Sequence, residues 1–229
     1  FKISTKFLLN FYRKESGLNE FIKNKYPYHN FIEFYCTGRS ALYSILKSIN
    51  LKKGFRVGIQ AFNCVVVPKA IIESGGLPVY LDIEEDTLSI NYSKLGEKID
   101  ELDIVIIQYT YGLIPKHIFK IVDLCKKKNK HIILDKAHCI LKNVPVNNFF
   151  LENECYGIFY STDHTKSINA VKGGIAICKS NLDSYYINTK EKKFVNTFLP
   201  FAFETIFYYE KLYLNHFWVE DKFPQENHL

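Results

Sequence analysis

The sequence predicts an α/β domain, with a mostly parallel sheet sandwiched between helices. Three observations lead there. Short apolar, β-branched runs alternate with longer stretches of helical spacing up to about residue 180. Several of the short runs are apolar on both faces, as strands covered by helices on each side must be. The first two helical stretches give way to glycine-containing stops before the next run begins.

The predicted strands are Arg56–Gln60, Pro78–Ile83, Asp103–Tyr109, His131–Asp135, Tyr156–Tyr160 and Gly174–Cys178. The predicted helices are Ser40–Asn50, Val65–Ser74, Ser93–Glu101 and His117–Lys128. The first stops before Lys52-Lys53-Gly54 and the second before Gly75-Gly76. Residues 1–180 thus form the large α/β domain, and residues 181–229 are a separate C-terminal portion. That portion opens with a polar segment, 181–196. It continues into an aromatic-rich stretch, Phe198–Val219, whose three- and four-residue spacings predict an amphipathic helix. Such a helix either packs on the domain or meets a partner.

Composition narrows the function. Hydrophobic residues make up 47% of the chain and charged residues 24%, enough apolar material for a sizeable core. The net charge of +6 comes from dispersed lysines, and the one cluster, Lys126-Lys127-Lys128, suits a helix C-terminus. That is no footprint for nucleic acid. No run approaches the roughly 20 apolar residues of a membrane span. The six cysteines form no CxxC pair, and several sit in apolar runs, so reduced thiols and a cytoplasmic location are expected. There is no methionine, even at position 1.

Ligands of open α/β sheets bind beyond the carboxyl ends of the strands, so polar residues at those ends are the site candidates. Four places qualify. In Cys36-Thr-Gly-Arg-Ser-Ala-Leu42 a small-residue turn opens a helix; its free N–H groups suit a phosphate, Gly38 allows close approach and Ser40 adds a hydroxyl. Read alone, the same turn is equally a helix cap. Phe62, after the first predicted strand, is either a core aromatic or a stacking platform for a flat ring. Asp135 closes an apolar strand and needs a partner there, of which a protonated ring nitrogen is one; His138 follows one turn later. Last, Ser161, His164 and Lys166 follow the strand Tyr156–Tyr160 and precede Gly173-Gly174. A lysine in that position is usually a surface residue, and an amine used for covalent chemistry must first lose its proton.

Taken in order, these places resemble the DegT/DnrJ/EryC1/StrS family of pyridoxal-phosphate-dependent sugar aminotransferases, of the aspartate-aminotransferase fold. The resemblance runs from about Glu33 to Lys179. It rests on Gly38-Arg-Ser-Ala-Leu42, Gly75-Gly-Leu-Pro-Val-Tyr-Leu-Asp82, Asp86-Thr-Leu-Ser-Ile90, Tyr111-Gly112, Asp135-Lys-Ala-His138, Ser161 with Lys166 five residues on, and Gly173-Gly174. It implies a pyridoxal 5′-phosphate large domain whose C-terminal small domain is short or missing. It implies Lys166 as the Schiff-base lysine and proton shuttle, and Asp135 as partner of the pyridine nitrogen. Ser161 and the backbone of Gly38, Arg39 and Ser40 would hold the phosphate, Phe62 would stack on the ring, and His138, where many members carry Gln, would lie near O3′. No metal is implied. The expected function is amino transfer, from glutamate, onto a nucleotide-linked keto-sugar for cell-surface polysaccharide or related amino-sugar biosynthesis, by a homodimer. The departures are Gly-Arg-Ser where many members have Gly-Thr-Ser, the Asp163-His164 pair, and aromatic residues where an Asn-Tyr-Arg-type segment usually stands. The other readings are a related dehydration chemistry, a non-catalytic binding module, and a metal site built from Asp135, His138, Asp163 and His164.

Overall fold

The computed structural model of the chain describes residues 22–35, 37–139, 152–162, 166 and 173–182. Within them run strand β1 (Phe31–Tyr35), helix α1 (Gly38–Ser48), β2 (Arg56–Gln60), α2 (Val66–Glu73), β3 (Leu77–Leu81), α3 (Tyr92–Lys98), β4 (Ile104–Gln108), α4 (Ile118–Lys127), β5 (His131–Asp135), β6 (Gly157–Ser161) and β7 (Gly174–Cys178). The strands make one seven-stranded sheet in the order β1-β7-β6-β5-β4-β2-β3. Strands β3, β2, β4, β5 and β6 are mutually parallel, and β7 runs antiparallel to both of its neighbours. The expected mostly parallel, helix-covered sheet is therefore present, with one reversed strand.

The sheet separates two apolar layers. On one face, Ala41, Leu42, Ile45 and Leu46 of α1 and Val67, Ala70 and Ile71 of α2 pack against Ile59, Ile106 and Ile133. On the other, Leu95 of α3 and Ile118, Ile121 and Val122 of α4 pack against Val105, Ile107, Ile132 and Leu134. Every residue of β4 is buried, so its side chains face protein on both sides, which is why it reads as a continuous apolar run. Each such Ile or Leu contributes about 1.5–3 kcal/mol of burial.

Helix α1 begins where Thr37, in an extended conformation, accepts a hydrogen bond on its side chain from the Ser40 N–H at 3.1 Å. It ends earlier than the sequence predicts. The stop is Asn50, in the left-handed region at φ 55°, and Gly54 serves a later turn. Strand β1 was not among the predicted strands. It is a half-buried sheet edge whose pairing comes wholly from β7, at the far end of the described sequence. The polar segment from residue 183 on and the aromatic stretch Phe198–Val219 lie outside the described residues.

Candidate active site

Parallel pairing brings the carboxyl ends of β2, β4, β5 and β6 to one edge of the sheet, and a cavity of about 280 Å³ opens there. Seven of the eight residues singled out in the sequence line it: Gly38, Arg39, Phe62, Asp135, His138, Ser161 and Lys166. Ser40 does not. Its hydroxyl turns back to Thr37 Oγ1, 2.9 Å away, within the helix cap.

One end of the cavity is the start of α1. A Cβ on Gly38 would stand 2.8 Å from Ser161 Cβ, closer than side chains pack, so glycine is what lets this helix start lie against the end of β6. Arg39 lines the same cavity with its fixed positive charge. Helix start, hydroxyl and guanidinium together form a surface suited to a phosphate.

Asp135 ends β5 with 3% of its surface exposed. Its Oδ1 accepts a hydrogen bond from the Ala137 N–H at 2.9 Å. Burial pushes its carboxyl up from the ordinary 3.8 to about 6, against the opposing pull of that N–H and of Lys166. A buried acid facing a cavity in this state suits a partner that brings a proton or a positive charge.

His138 stands on the turn after β5. Its ring stacks on Tyr111, with centroids 5.7 Å apart and planes 7° from parallel. Its Nδ1 accepts the Tyr111 backbone N–H at 3.1 Å, and its Nε2 lies 3.1 Å from Lys166 Nζ. Burial, then the nearby Lys166, holds the imidazole below its usual range. Lys166 thus reaches the cavity that Asp135 lines.

Phe62 is no core residue: it is 47% exposed on the turn after β2. The buried Gln60 holds that turn, its Nε2 standing 2.7 Å from the Phe62 carbonyl oxygen and 2.8 Å from that of Leu88. Sequence reasoning gave no role to Asn63 or Gln108, which also line the cavity. Both amide atoms of Asn63 and the Oε1 of Gln108 are buried without a partner among the described residues. Gln108 could have been found by the rule that exposed Asp135, a polar residue closing an apolar strand. Asn63 carries no such signal. Asp163 and His164 lie outside the described residues, and among the described residues no group of three or more side chains could hold a metal ion.

Residues 15–148 match the DegT/DnrJ/EryC1/StrS aminotransferase family. The chain is 26% identical over 113 residues to dTDP-4-dehydro-2,3,6-trideoxy-D-glucose 4-aminotransferase of Saccharopolyspora spinosa, a match covering 49% of this chain and 29% of that one. It is 25% identical over 171 residues to GDP-perosamine synthase of Vibrio cholerae, covering 74% of this chain and 44% of that enzyme. The chain thus spans less than half the length of these relatives. In fold it is similar to the crystal structure of NtdA from Bacillus subtilis with bound cofactor PMP, with a TM-score of 0.59 at 17% identity over 71% of this chain and 38% of that one. With more than half of its length matching, the chain belongs to the DegT/DnrJ/EryC1/StrS aminotransferase family.

Proposed function

We propose that this chain is the cofactor-binding part of a pyridoxal-phosphate-dependent aminotransferase that moves an amino group, from glutamate, onto a nucleotide-linked keto-sugar. The relatives include one enzyme named for a nucleotide-linked dehydro-sugar and one named for a nucleotide-linked amino sugar, which supports the substrate class. The observation that carries the reading is the meeting of Asp135, Lys166 and the Gly38–Ser161 contact on one cavity.

The residues present fit the cofactor. Bound here, pyridoxal 5′-phosphate would supply an electron sink for the negative charge that develops on a substrate carbon. Asp135 would keep a proton on the ring nitrogen, the role its buried carboxyl suits. The start of α1, Arg39 and Ser161 would bind the phosphate, Ser40 supporting them through the cap at Thr37. Phe62 would cover the ring, and His138 would stand beside its hydroxyl oxygen. Lys166 would form the covalent link and carry protons to and from the reacting carbon.

Homodimerisation belongs to the same reading. It is supported by the exposed apolar residues Leu113 and Ile114, which follow Tyr111 of the cavity lining. The cytoplasm is supported by five free thiols among the described cysteines. No helix among the described residues is long and apolar enough to cross a membrane.

The test is covalent capture. Protein incubated with pyridoxal phosphate and reduced with borohydride should carry one pyridoxyl group, on the peptide containing Lys166, and Lys166→Ala should carry none. Labelling at other lysines with Lys166 untouched would sink the reading. Glutamate and a panel of nucleotide keto-sugars then read the transfer itself, light scattering reads the homodimer, and cell fractionation reads the location.

A further inference from the structure

Gln60 closes β2 but its side chain does not face the cavity. Val57 and Ile59 pack on the α1–α2 side, so strand alternation turns Gln60 to the opposite face, where it is fully buried. Its Nε2 meets three acceptors: the Phe62 carbonyl oxygen at 2.7 Å, the Leu88 carbonyl oxygen at 2.8 Å and Thr110 Oγ1 at 2.9 Å. Thr110 Oγ1 donates its own hydrogen to the same Leu88 oxygen, 3.1 Å away. The amide can sit only this way round, because exchanging its oxygen and nitrogen would set a carbonyl oxygen against two others.

The three partners belong to three separate loops, after β2, between β3 and α3, and after β4. Two of these loops are bent into the left-handed region, at Leu88 (φ 51°) and at Tyr111 (φ 53°), the residue after Thr110. Such backbone is unfavourable for residues with side chains and persists where surrounding structure holds it. The Oε1 of Gln60, meanwhile, is buried without a partner among the described residues. An orphaned buried acceptor weakens a fold, and a side chain kept for packing alone would be apolar here. What Gln60 supplies is its N–H groups, and the loops receive them.

Two of the loops carry walls of the cavity. Phe62 lines it directly. The Tyr111 ring lies flat on the His138 imidazole, and the Tyr111 N–H donates to His138 Nδ1 at 3.1 Å. We propose that Gln60 is a positioning residue for this site: from beneath the cavity it sets Phe62 and, through Thr110, the Tyr111–His138 stack. It acts through these residues rather than on a ligand. The proposal rests on the reading of Phe62 and His138 as cofactor contacts, but the two arms are a property of the protein before any ligand binds.

Two variants of the full chain separate the arms. Gln60→Met keeps the side-chain volume and removes both donors. Thr110→Val keeps the volume and removes the hydroxyl, leaving the Phe62 arm intact. In cofactor-free protein carrying isotope-labelled histidine, the His138 ring signals are identified by their loss in His138→Gln. Tyr111→Leu shows where they fall without the stack. Both Gln60→Met and Thr110→Val should move them toward those positions. The signals of His131, edge-on to Tyr156, and of His117, beside Tyr92, should stay in place. Affinity for pyridoxal phosphate should fall about tenfold in Gln60→Met, the worth of one lost hydrogen bond, and less in Thr110→Val.

His138 signals unmoved in both variants, or an unchanged affinity in Gln60→Met, would overturn the proposal. Equal losses of affinity in the two variants would overturn the Phe62 arm. If Gln60→Met also moves the signals of His131 and His117, the fold itself has loosened. Thr110→Val then decides alone: His138 must move while those two stay, and any other result overturns the proposal. If even the wild-type protein binds no pyridoxal phosphate, the cofactor reading fails, while the spectra still decide whether Gln60 holds the Tyr111 turn.

Discussion

At neutral pH, a carboxylate buried as deeply as Asp135 is ionised in an environment that disfavours its charge. Its folded-state value of about 6 lies above the ordinary 3.8. Between the two, the folded protein holds a proton that the unfolded chain has already lost, so stability falls as pH rises through that window and stays lower above it. A shift of this size corresponds to about 3 kcal/mol. Asp135→Asn keeps an oxygen to accept the Ala137 N–H and removes the charge. The variant should melt above the wild type at pH of about 7, both proteins free of cofactor, and the gain should vanish near pH of about 4. Its affinity for pyridoxal phosphate should fall at least tenfold, because an amide cannot neutralise a protonated ring nitrogen. Thermal unfolding at the two pH values, with a cofactor titration, checks both halves; an equal gain at both pH values would refute the linkage. This residue was legible in the sequence because an acid closing an apolar run demands a partner. The neighbouring orphaned amide of Asn63 was not, because only packing decides whether an amide meets water.

The elements were legible where one face pattern decides them, and less so where a neighbour does. Strands β2, β5 and β7 have the predicted ends, while β3, β4 and β6 differ from prediction by one or two residues. β1 escaped because Phe31–Tyr35 is half-buried throughout and is fixed as a strand by β7, which the local sequence cannot reveal. The start of α1 shows a local and a distant cause acting together. Its cap, Thr37 to Ser40, is written in the sequence, but the reason for Gly38 is Ser161, the end of another strand. Gly38→Ala separates these. Alanine favours a helix by up to about 1 kcal/mol over glycine, so α1 should persist by circular dichroism. The added methyl, however, needs space that Ser161 occupies, and forcing it in costs about 1–3 kcal/mol. Affinity for pyridoxal phosphate should therefore drop about tenfold or more, in a protein that still folds. An unchanged affinity would mean that the contact between α1 and β6 does not shape the cofactor site.

Across the whole sheet, consecutive residues serve opposite faces. Asp135 faces the cavity with Ile133 and Phe159 on the α1–α2 side. Lys136 points to the α3–α4 side, where it forms a buried ion pair with Glu152, the two side chains 4% and 1% exposed. The lysine Nζ also lies 5.1 Å from the centre of the Tyr109 ring. Nearby Tyr26 and Tyr160 join their hydroxyls in a buried hydrogen bond, and burial raises the pKa of each phenol far above its ordinary value. The sequence offers no sign of this pair, since neither residue's burial follows from its own neighbours. The Lys136–Glu152 ion pair ties the segment carrying Asp135 and His138 to the residues leading into β6 and Ser161. A buried pair of this kind gives little net stability, yet breaking it is severe, because the remaining charge keeps its desolvation penalty without its partner. Lys136→Met should destabilise the protein by about 3–5 kcal/mol, the more so because Glu152 Oε2 already lacks a partner among the described residues. Replacing both, Lys136→Met with Glu152→Leu, should return most of that loss, since no charge is left buried. Urea unfolding of the wild type, the two single variants and the double variant yields the coupling directly. If the double variant is as unstable as the sum of the singles, the two charges are not coupled across this face. If it recovers stability but still binds pyridoxal phosphate poorly, the pair's role is to hold Asp135 and His138 in register with β6 rather than to stabilise the fold.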